Sequence, residues 1–393
     1  MKKIELLAPA GDLERLKIDL LYGADAVYFG GQKYGLRANA TNFSIDEIKE
    51  ACTFAHKLSK KVYLTLNIVF HNEDMDGVEE YIRDVVDAGI DAFIVSDPFI
   101  ISYIKDNFNV EAHLSTQNST TNYEAVNFFK DNDIDRVVLA RELNIKDIEE
   151  IIKKTNLDTE VFIHGAMCTC FSGRCALSNY ITNRDANRGG CSQVCRFSFN
   201  TESGNNFTMA TKDLSLSKHI KELIDIGVRS LKIEGRMRSL YYLATVVGTY
   251  RKIIDAIYSD SMTPELEKKC EEILSKVANR ETSTQYLFKE ADYNDQYYTG
   301  RSEVSNQDYL GEVIEYKDDL IKIYERNYFE VGDKVELFTP KGDSVEFIVR
   351  KLFNENMEEL EVARHPDDIY YIYLETNIEI DKYSMIRLIE KKG

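Results

Sequence analysis

Ile4-Glu5-Leu6-Leu7-Ala8-Pro9-Ala10-Gly11-Asp12 is the stretch that decides the fold. A short apolar run, strand-like in character, enters its first turn with a single glycine. An open doubly wound nucleotide-binding sheet would carry G-x-G-x-x-G there, to bring backbone amides against a pyrophosphate. Without that turn, the first strand reads as one stave of a closed barrel. Similar runs recur at 26–30, 62–67, 92–97, 111–117, 136–141, 160–164 and 230–234. Most are β-branched or aromatic and bounded by Gly, Asp or Asn, as strands buried on both faces should be. Amphipathic helical patterns lie between them at 12–22, 44–58 and 78–88, the second opened by a Ser44/Glu47 capping box. Eight strands, each followed by a helix or an insertion, predict an α/β fold: a TIM-like (β/α)8 barrel over residues 1–259.

The regular spacing breaks once, between 164 and 230. The extra length is a Cys-, Gly- and Arg-rich insertion at about 165–217. Loops that follow barrel strands carry the chemistry, so a long one there is expected to be functional. Residues 260–309 read as a helical and irregular connector with Thr263-Pro264 as a cap. From 310 to 393 the pattern becomes short alternating strands broken by Asp318-Asp319, Lys341-Gly342-Asp343 and Pro366-Asp367, which predicts a small C-terminal β-barrel domain.

Five of the seven cysteines, Cys168, Cys170, Cys175, Cys191 and Cys195, fall in the insertion. Cysteines clustered in a chain with no signal-like h-region point to metal or redox chemistry in a cytoplasmic protein. Cys168-x6-Cys175 and Cys191-x3-Cys195 do not make the C-x2-C knuckles of a zinc ribbon. The wider spacing suits a [4Fe–4S] cluster, with zinc as the alternative and no metal as a third. Cys170 stands outside the two pairs. Cys52 and Cys270, in helical stretches, read as small buried hydrophobes.

The charge map adds a second signal. The chain carries a formal −18, which by bulk electrostatics argues against nucleic acid. Residues 164–251 nevertheless hold 12 Lys/Arg against 6 Asp/Glu. Arg174, Arg184, Arg188 and Arg196 lie in the insertion, and Lys232, Arg236 and Arg238 at the last barrel strand. Guanidinium forks suit phosphate or a dicarboxylate, and Phe171, Tyr180, Phe197 and Tyr242 are candidate stacking surfaces. A barrel would also aim Arg37, Asn42, Asn67, Asp97, His113, Gln117, Arg141, Glu142 and Glu234 at one rim. His164, beside the cysteines, is the first candidate for proton transfer, and Glu234 with Lys232 the second. No H-E-x-x-H, G-x-S-x-G or paired Asp-Thr/Ser-Gly motif supports proteolysis; a Cys168–His164 dyad is the one conceivable arrangement.

The string Glu160-x-Phe162-x-x-Gly165-Ala166-Met167-Cys168-x4-Gly173-x-Cys175-x-Leu177-Ser178 resembles the signature of the collagenase-like U thirty-two peptidase family. So do Leu6 to Gly11, Ala26-Val27-Tyr28-Phe29-Gly30 and Lys232-Ile233-Glu234-Gly235-Arg236. The resemblance spans the first 250 residues. It implies a barrel-like catalytic domain with a [4Fe–4S] cluster on Cys168, Cys175, Cys191 and Cys195, and a β-barrel domain in longer members. It further implies prephenate-dependent hydroxylation of the tRNA wobble uridine to 5-hydroxyuridine, with a paralogous partner subunit and no membrane. The same resemblance admits quinone hydroxylation and a collagen-degrading peptidase. A non-catalytic protein with a metal-stapled interaction surface is the remaining alternative.

Overall fold

The computed structural model describes residues 3–36, 42–204, 206–277, 280–298 and 308–392. The barrel is built in the order β1 (Glu5–Pro9), α1 (Leu13–Leu21), β2 (Ala26–Gly30), α2 (Ile45–Lys57), β3 (Lys61–Leu66), α3 (Val78–Asp87), β4 (Ala92–Val95), α4 (Pro98–Asn107) and β5 (Glu111–Leu114). It continues through α5 (Tyr123–Lys130), β6 (Arg136–Val138), α6 (Ile145–Thr155) and β7 (Asp158–Gly165). The insertion holds α7 (Leu177–Thr182), a small hairpin of β8 (Phe199–Asn200) and β9 (Asn206–Phe207), and β10 (Asp213–Ser215). Then come α8 (Ile220–Asp225), β11 (Ser230–Ile233), α9 (Leu240–Tyr258), α10 (Pro264–Lys276) and β12 (Thr282–Ser283).

Eight parallel strands close on themselves: β1 through β7 pair in order, and β11 joins β7 to β1. The closing registers are Glu5↔Ser230 and Ser230↔Glu160. Helix starts follow the side chains written for them. Ser44 and Glu47 form the expected capping box, and Thr263 caps α10 with Pro264 in its first turn. Asp97 accepts from Phe99 and Ile100 amides, so it caps α4 rather than lining the rim.

Outward-facing strand residues such as Leu6, Val27, Phe29 and Leu64 form one apolar core with the helices. Inside the barrel a smaller apolar set, Leu7, Ala26, Tyr28, Tyr63, Ala92 and Ile94, shares the space with charge. Lys232 Nζ donates to Glu160 Oε1 (2.7 Å), and Glu160 Oε2 accepts from Arg136 (3.1 Å). Arg136 also reaches Glu5 Oε1 (2.5 Å), which accepts from Ser230 (2.8 Å) as well, while Glu5 Oε2 accepts from Tyr63 (2.7 Å). Two cations alternate with two carboxylates, so the chain is neutral while each charge is hydrogen-bonded. Both conditions are needed to offset the desolvation of buried ions.

Two expectations are corrected. The connector is not merely helical and irregular: its β12 pairs parallel to β10, which itself runs antiparallel to β7, so both extend the barrel sheet. The fifth strand ends at Leu114 rather than 117, because Ser115 Oγ accepts from the Gln117 amide (3.3 Å) and starts a 3-10 turn. Strand alternation therefore does not place His113 and Gln117 on one face.

The C-terminal residues form an eight-stranded antiparallel sheet curled around Leu310, Ile321, Ile323, Val335, Leu337, Ile372 and Ile386, where the small β-barrel domain was expected. It docks on α1 and α9. Tyr22 Oη donates to the Tyr383 carbonyl (2.8 Å), and the Tyr241 and Tyr309 rings stack at 4.6 Å.

Candidate active site at the barrel mouth

The turn after β11 carries Glu234, Gly235 and Arg236 across the C-terminal ends of the strands. Arg236 is 6% exposed and donates to Thr65 Oγ1 (3.3 Å) over the end of β2. A Cβ on Gly30 would stand 2.3 Å from that guanidinium, and one on Gly165 (φ +108°) 2.3 Å from the Glu234 carbonyl. These two glycines of the family-like motifs make room for the turn.

Glu234 Oε2 lies 3.3 Å from the Tyr28 hydroxyl and 4.0 Å from the Arg141 guanidinium. Arg141 stacks over Phe162 (3.8 Å) and donates to the Ala166 carbonyl (2.9 Å). Lys232 sits beneath, over the Tyr28 ring (4.4 Å) and 4% exposed. Thus Arg141, Lys232, Glu234 and Arg236 converge as the sequence predicted. Lys232 belongs to the interior charge chain as much as to the mouth. Burial would raise the Glu160 carboxyl, but Lys232 and Arg136 outweigh it and hold it at about 2. The Lys232–Glu160 pair is therefore charged. Tyr28, Phe162 and Glu160 complete the ring; they stand in the family-like motifs but were not assigned to the site. The period-2 alternation of each strand was the available signal, placing Tyr28 with Gly30, and Phe162 with Glu160.

The other predicted residues separate. His113 lies inside the barrel, wholly buried, with its Nε2 2.9 Å from Glu111 and its ring against Tyr63 (4.8 Å). Asn67 bonds Ser115 Oγ (3.2 Å) at the ends of β3 and β5. Arg238 stacks on Tyr242 (4.9 Å) and faces Asp213 (3.6 Å). Arg196 is half-buried on Gln193 (3.0 Å), Arg174 is exposed, and Arg37 lies outside the described residues. His164 is 1% exposed and turned to α9, with Nδ1 3.2 Å from the Tyr250 hydroxyl. Burial, and secondarily the Arg238 charge, push its pKa down to about 3. A neutral imidazole against the Tyr250 hydroxyl acts as a strut between β7 and α9.

The cysteine loop rises from β7 beside this mouth. Its tight turn places Ser172 (φ +50°) and Gly173 (φ +77°) consecutively in the left-handed region. Glu142, at the end of β6, holds that turn: it accepts from the Ser172 amide (2.6 Å) and the Ser172 hydroxyl (3.2 Å). The Gln117 amide group lies 3.2 Å from the Cβ position of Gly173. Further on, Asn187 brackets Cys175 through its amide and carbonyl (3.1 and 3.0 Å). The Val69 amide donates to the Asn187 carbonyl (3.0 Å), and Arg188 binds Asp74 and Glu73 after β3.

None of the five loop cysteines is in a disulfide; Cys168 and Cys191 are exposed, the other three half-buried. Burial first, then a hydrogen bond to Cys175, pushes the Cys170 thiol up to about 12, with Cys168 and Cys195 adding to the rise. Burial also raises Cys195, and the Cys168 and Cys191 charges add to it. The loop thus brings the five thiols within electrostatic reach of one another. Among the described residues, no three Cys, His, Asp or Glu side chains already stand at metal-holding distance. The donor chemistry fits a thiolate-ligated group: none of the cysteines is spent in a disulfide, and the Leu177 amide points at Cys175 Sγ (3.3 Å).

Known proteins were compared with this arrangement. The chain is 45% identical to "tRNA hydroxylation protein P1" of Bacillus subtilis (strain 168), over 96% of this chain and 93% of that one. It is 33% identical to "tRNA hydroxylation protein P" of Escherichia coli (strain K12), over 95% and 94%. A third relative, "23S rRNA 5-hydroxycytidine C2501 synthase" of Escherichia coli (strain K12), is 38% identical over 66% of this chain and 40% of its own length. The profile of peptidase family U32 matches residues 11–297, and that of its C-terminal domain residues 305–387. With glycines that seat the Glu234–Arg236 turn and a match across barrel and C-terminal sheet alike, the chain belongs to peptidase family U32.

Proposed function

We propose that this chain is a cytoplasmic iron–sulfur protein that hydroxylates the wobble uridine of tRNA to 5-hydroxyuridine, with prephenate as the required small molecule. The observation that carries the reading is full-length similarity to proteins named for tRNA hydroxylation, joined to a mouth in which Arg141 faces the Glu234 carboxylate and Arg236 crosses the strand ends to Thr65. Lys232 is matched by Glu160, so Arg141 and Arg236 are the mouth guanidinium groups suited to a dicarboxylate.

Cys168, Cys175, Cys191 and Cys195 are the residues that would hold the cluster, whose contribution when bound is electron transfer. Arg141 and Arg236 bind and orient the carboxylates of the small molecule. The Tyr28 hydroxyl, 3.0 Å from the Ile233 carbonyl and 3.3 Å from Glu234, fixes the Glu234 carboxylate for proton exchange at Oε2. Phe162 and Tyr28 exclude water from Lys232. A paralogous subunit is the partner class this reading expects.

The test is nucleoside mass spectrometry of tRNA from a strain lacking the gene and its paralogues, complemented with wild type or Cys191→Ala. Loss of 5-hydroxyuridine derivatives, restored only by wild type, is expected. Anaerobically purified wild type should be brown and Cys191→Ala colourless. Unchanged tRNA, a colourless protein with stoichiometric zinc, or gelatin cleavage that survives loss of the cysteines would each overturn it.

A further inference from the structure

Four aromatic residues of the basic segment were candidates for stacking on a base, and the fold separates them. Tyr242 is buried beneath Arg238 and Phe197 is half-buried. Phe171 is 52% exposed, whereas Tyr180 is 87% exposed. Tyr180 is not on a loose loop. Its helix, α7, is held at its start by the Leu177 amide on Cys175 Sγ. Its inner face is held by Ser178, which is buried and accepts from the Ser192 amide (3.1 Å), and by Thr182, which meets Ser192 Oγ (2.8 Å). Asn183 then adopts φ +53°, and the Asn183 and Arg184 amides both donate to the Ser178 carbonyl, turning the chain back along the helix. The outer face is left to Tyr180 and to Ile181, which is itself 49% exposed.

Charge selects the occupant. Most cations of this region are matched: Arg188 by Asp74 and Glu73, Arg238 by Asp213, Lys212 by Glu281, Lys218 by Glu271. Arg174 and Arg184, which flank α7 in sequence and are exposed, make no ion pair among the described residues. Two unneutralised guanidinium groups beside a rigidly seated, solvent-facing ring complement phosphate and a base face together. An acidic chain would otherwise have carboxylates to spare for them. Bases are available for such stacking where RNA is single-stranded, since A-form duplexes keep theirs stacked inside.

We propose that α7 is a stacking platform for one unpaired base of the RNA substrate, with Tyr180 as the ring and Arg174 and Arg184 as phosphate contacts. This rests on the RNA-modifying reading above and names where that substrate touches the chain. The platform is fixed at both ends to the cysteine motif, through Cys175 and through Ser192 next to Cys191.

The experiment is fluorescence anisotropy with an unmodified anticodon stem-loop and, as control, a blunt RNA duplex, using wild type, Tyr180→Ala, Tyr180→Phe and Arg184→Gln. Tyr180→Ala should weaken stem-loop binding roughly 5- to 100-fold and leave duplex binding unchanged, while Tyr180→Phe binds like wild type. Arg184→Gln should reduce the slope of log K against log salt by about 0.7. Wild-type protein that binds neither probe overturns the RNA reading and this proposal with it. Wild-type binding that Tyr180→Ala leaves within twofold overturns this proposal alone. A Tyr180→Ala variant with intact RNA binding but a lower sedimentation coefficient also overturns it, assigning the face to a protein contact.

Discussion

His164 shows how a residue beside a reactive loop can be structural. In the folded chain its pKa is about 3, against an ordinary 6.5, because burial disfavours the charged ring. The unfolded chain therefore binds the proton first as pH falls. Stability is lost progressively between pH 6.5 and 3, at about 1.4 kcal/mol per pH unit for one such group. His164→Gln should flatten this slope by about one proton, read from urea midpoints across that range. An unchanged slope would place the buried charge penalty elsewhere; His113, also wholly buried and lowered, contributes the remainder. Glu160 has the same sign in a lower window: its depressed carboxyl supplies stability above its ordinary 4.5 that is lost as pH falls toward 2.

Elements were legible wherever periodicity and capping agreed. Eight apolar runs gave eight staves, and Ser44 and Thr263 cap the helices they precede, whereas Asp97, read as a rim residue, is a cap. The two- and three-residue strands β10 and β12 escaped notice because no period can be read over so few residues. The cysteine loop stood out because five of the seven cysteines lie within 28 residues. The Lys232–Glu160–Arg136–Glu5 chain did not, since its members are brought together only by barrel closure. Glu142 belongs to the same class: a strand-end carboxylate whose target, Ser172, lies 30 positions on. Removing it frees a strained turn from a charge-assisted bond worth about 1.5–3 kcal/mol. Glu142→Ala should therefore raise the labelling rate of the loop thiols by an order of magnitude, measured under reducing, metal-free conditions. Equal rates in the two proteins would show that the turn stands without the carboxylate.

For the whole molecule, the formal −18 misdescribes the site, because matched pairs absorb most charge and the unmatched guanidinium groups sit on the insertion. The C-terminal sheet bears on α1 and α9, the first and last barrel helices. Tyr309→Ala removes the ring stacked on Tyr241, and stacked aromatic pairs are worth about 0.5–1.5 kcal/mol beyond their buried area. The variant should show faster protease nicking between barrel and sheet than wild type, and a lower onset of thermal unfolding; identical digestion patterns would mean the other contacts suffice. Among the described residues, no helix is long and apolar enough to cross a membrane.

The Glu5↔Ser230 register has a further consequence in time. A growing polypeptide leaves the ribosome from its amino end, so the cysteine loop emerges before the strand that completes its barrel. Until Ser230–Ile233 arrives, Arg136 and Glu160 have no Lys232 beside them, and the thiols hang from an unclosed wall. The last stave therefore closes the wall, and completes its buried charge chain, only after the whole cysteine loop has been made.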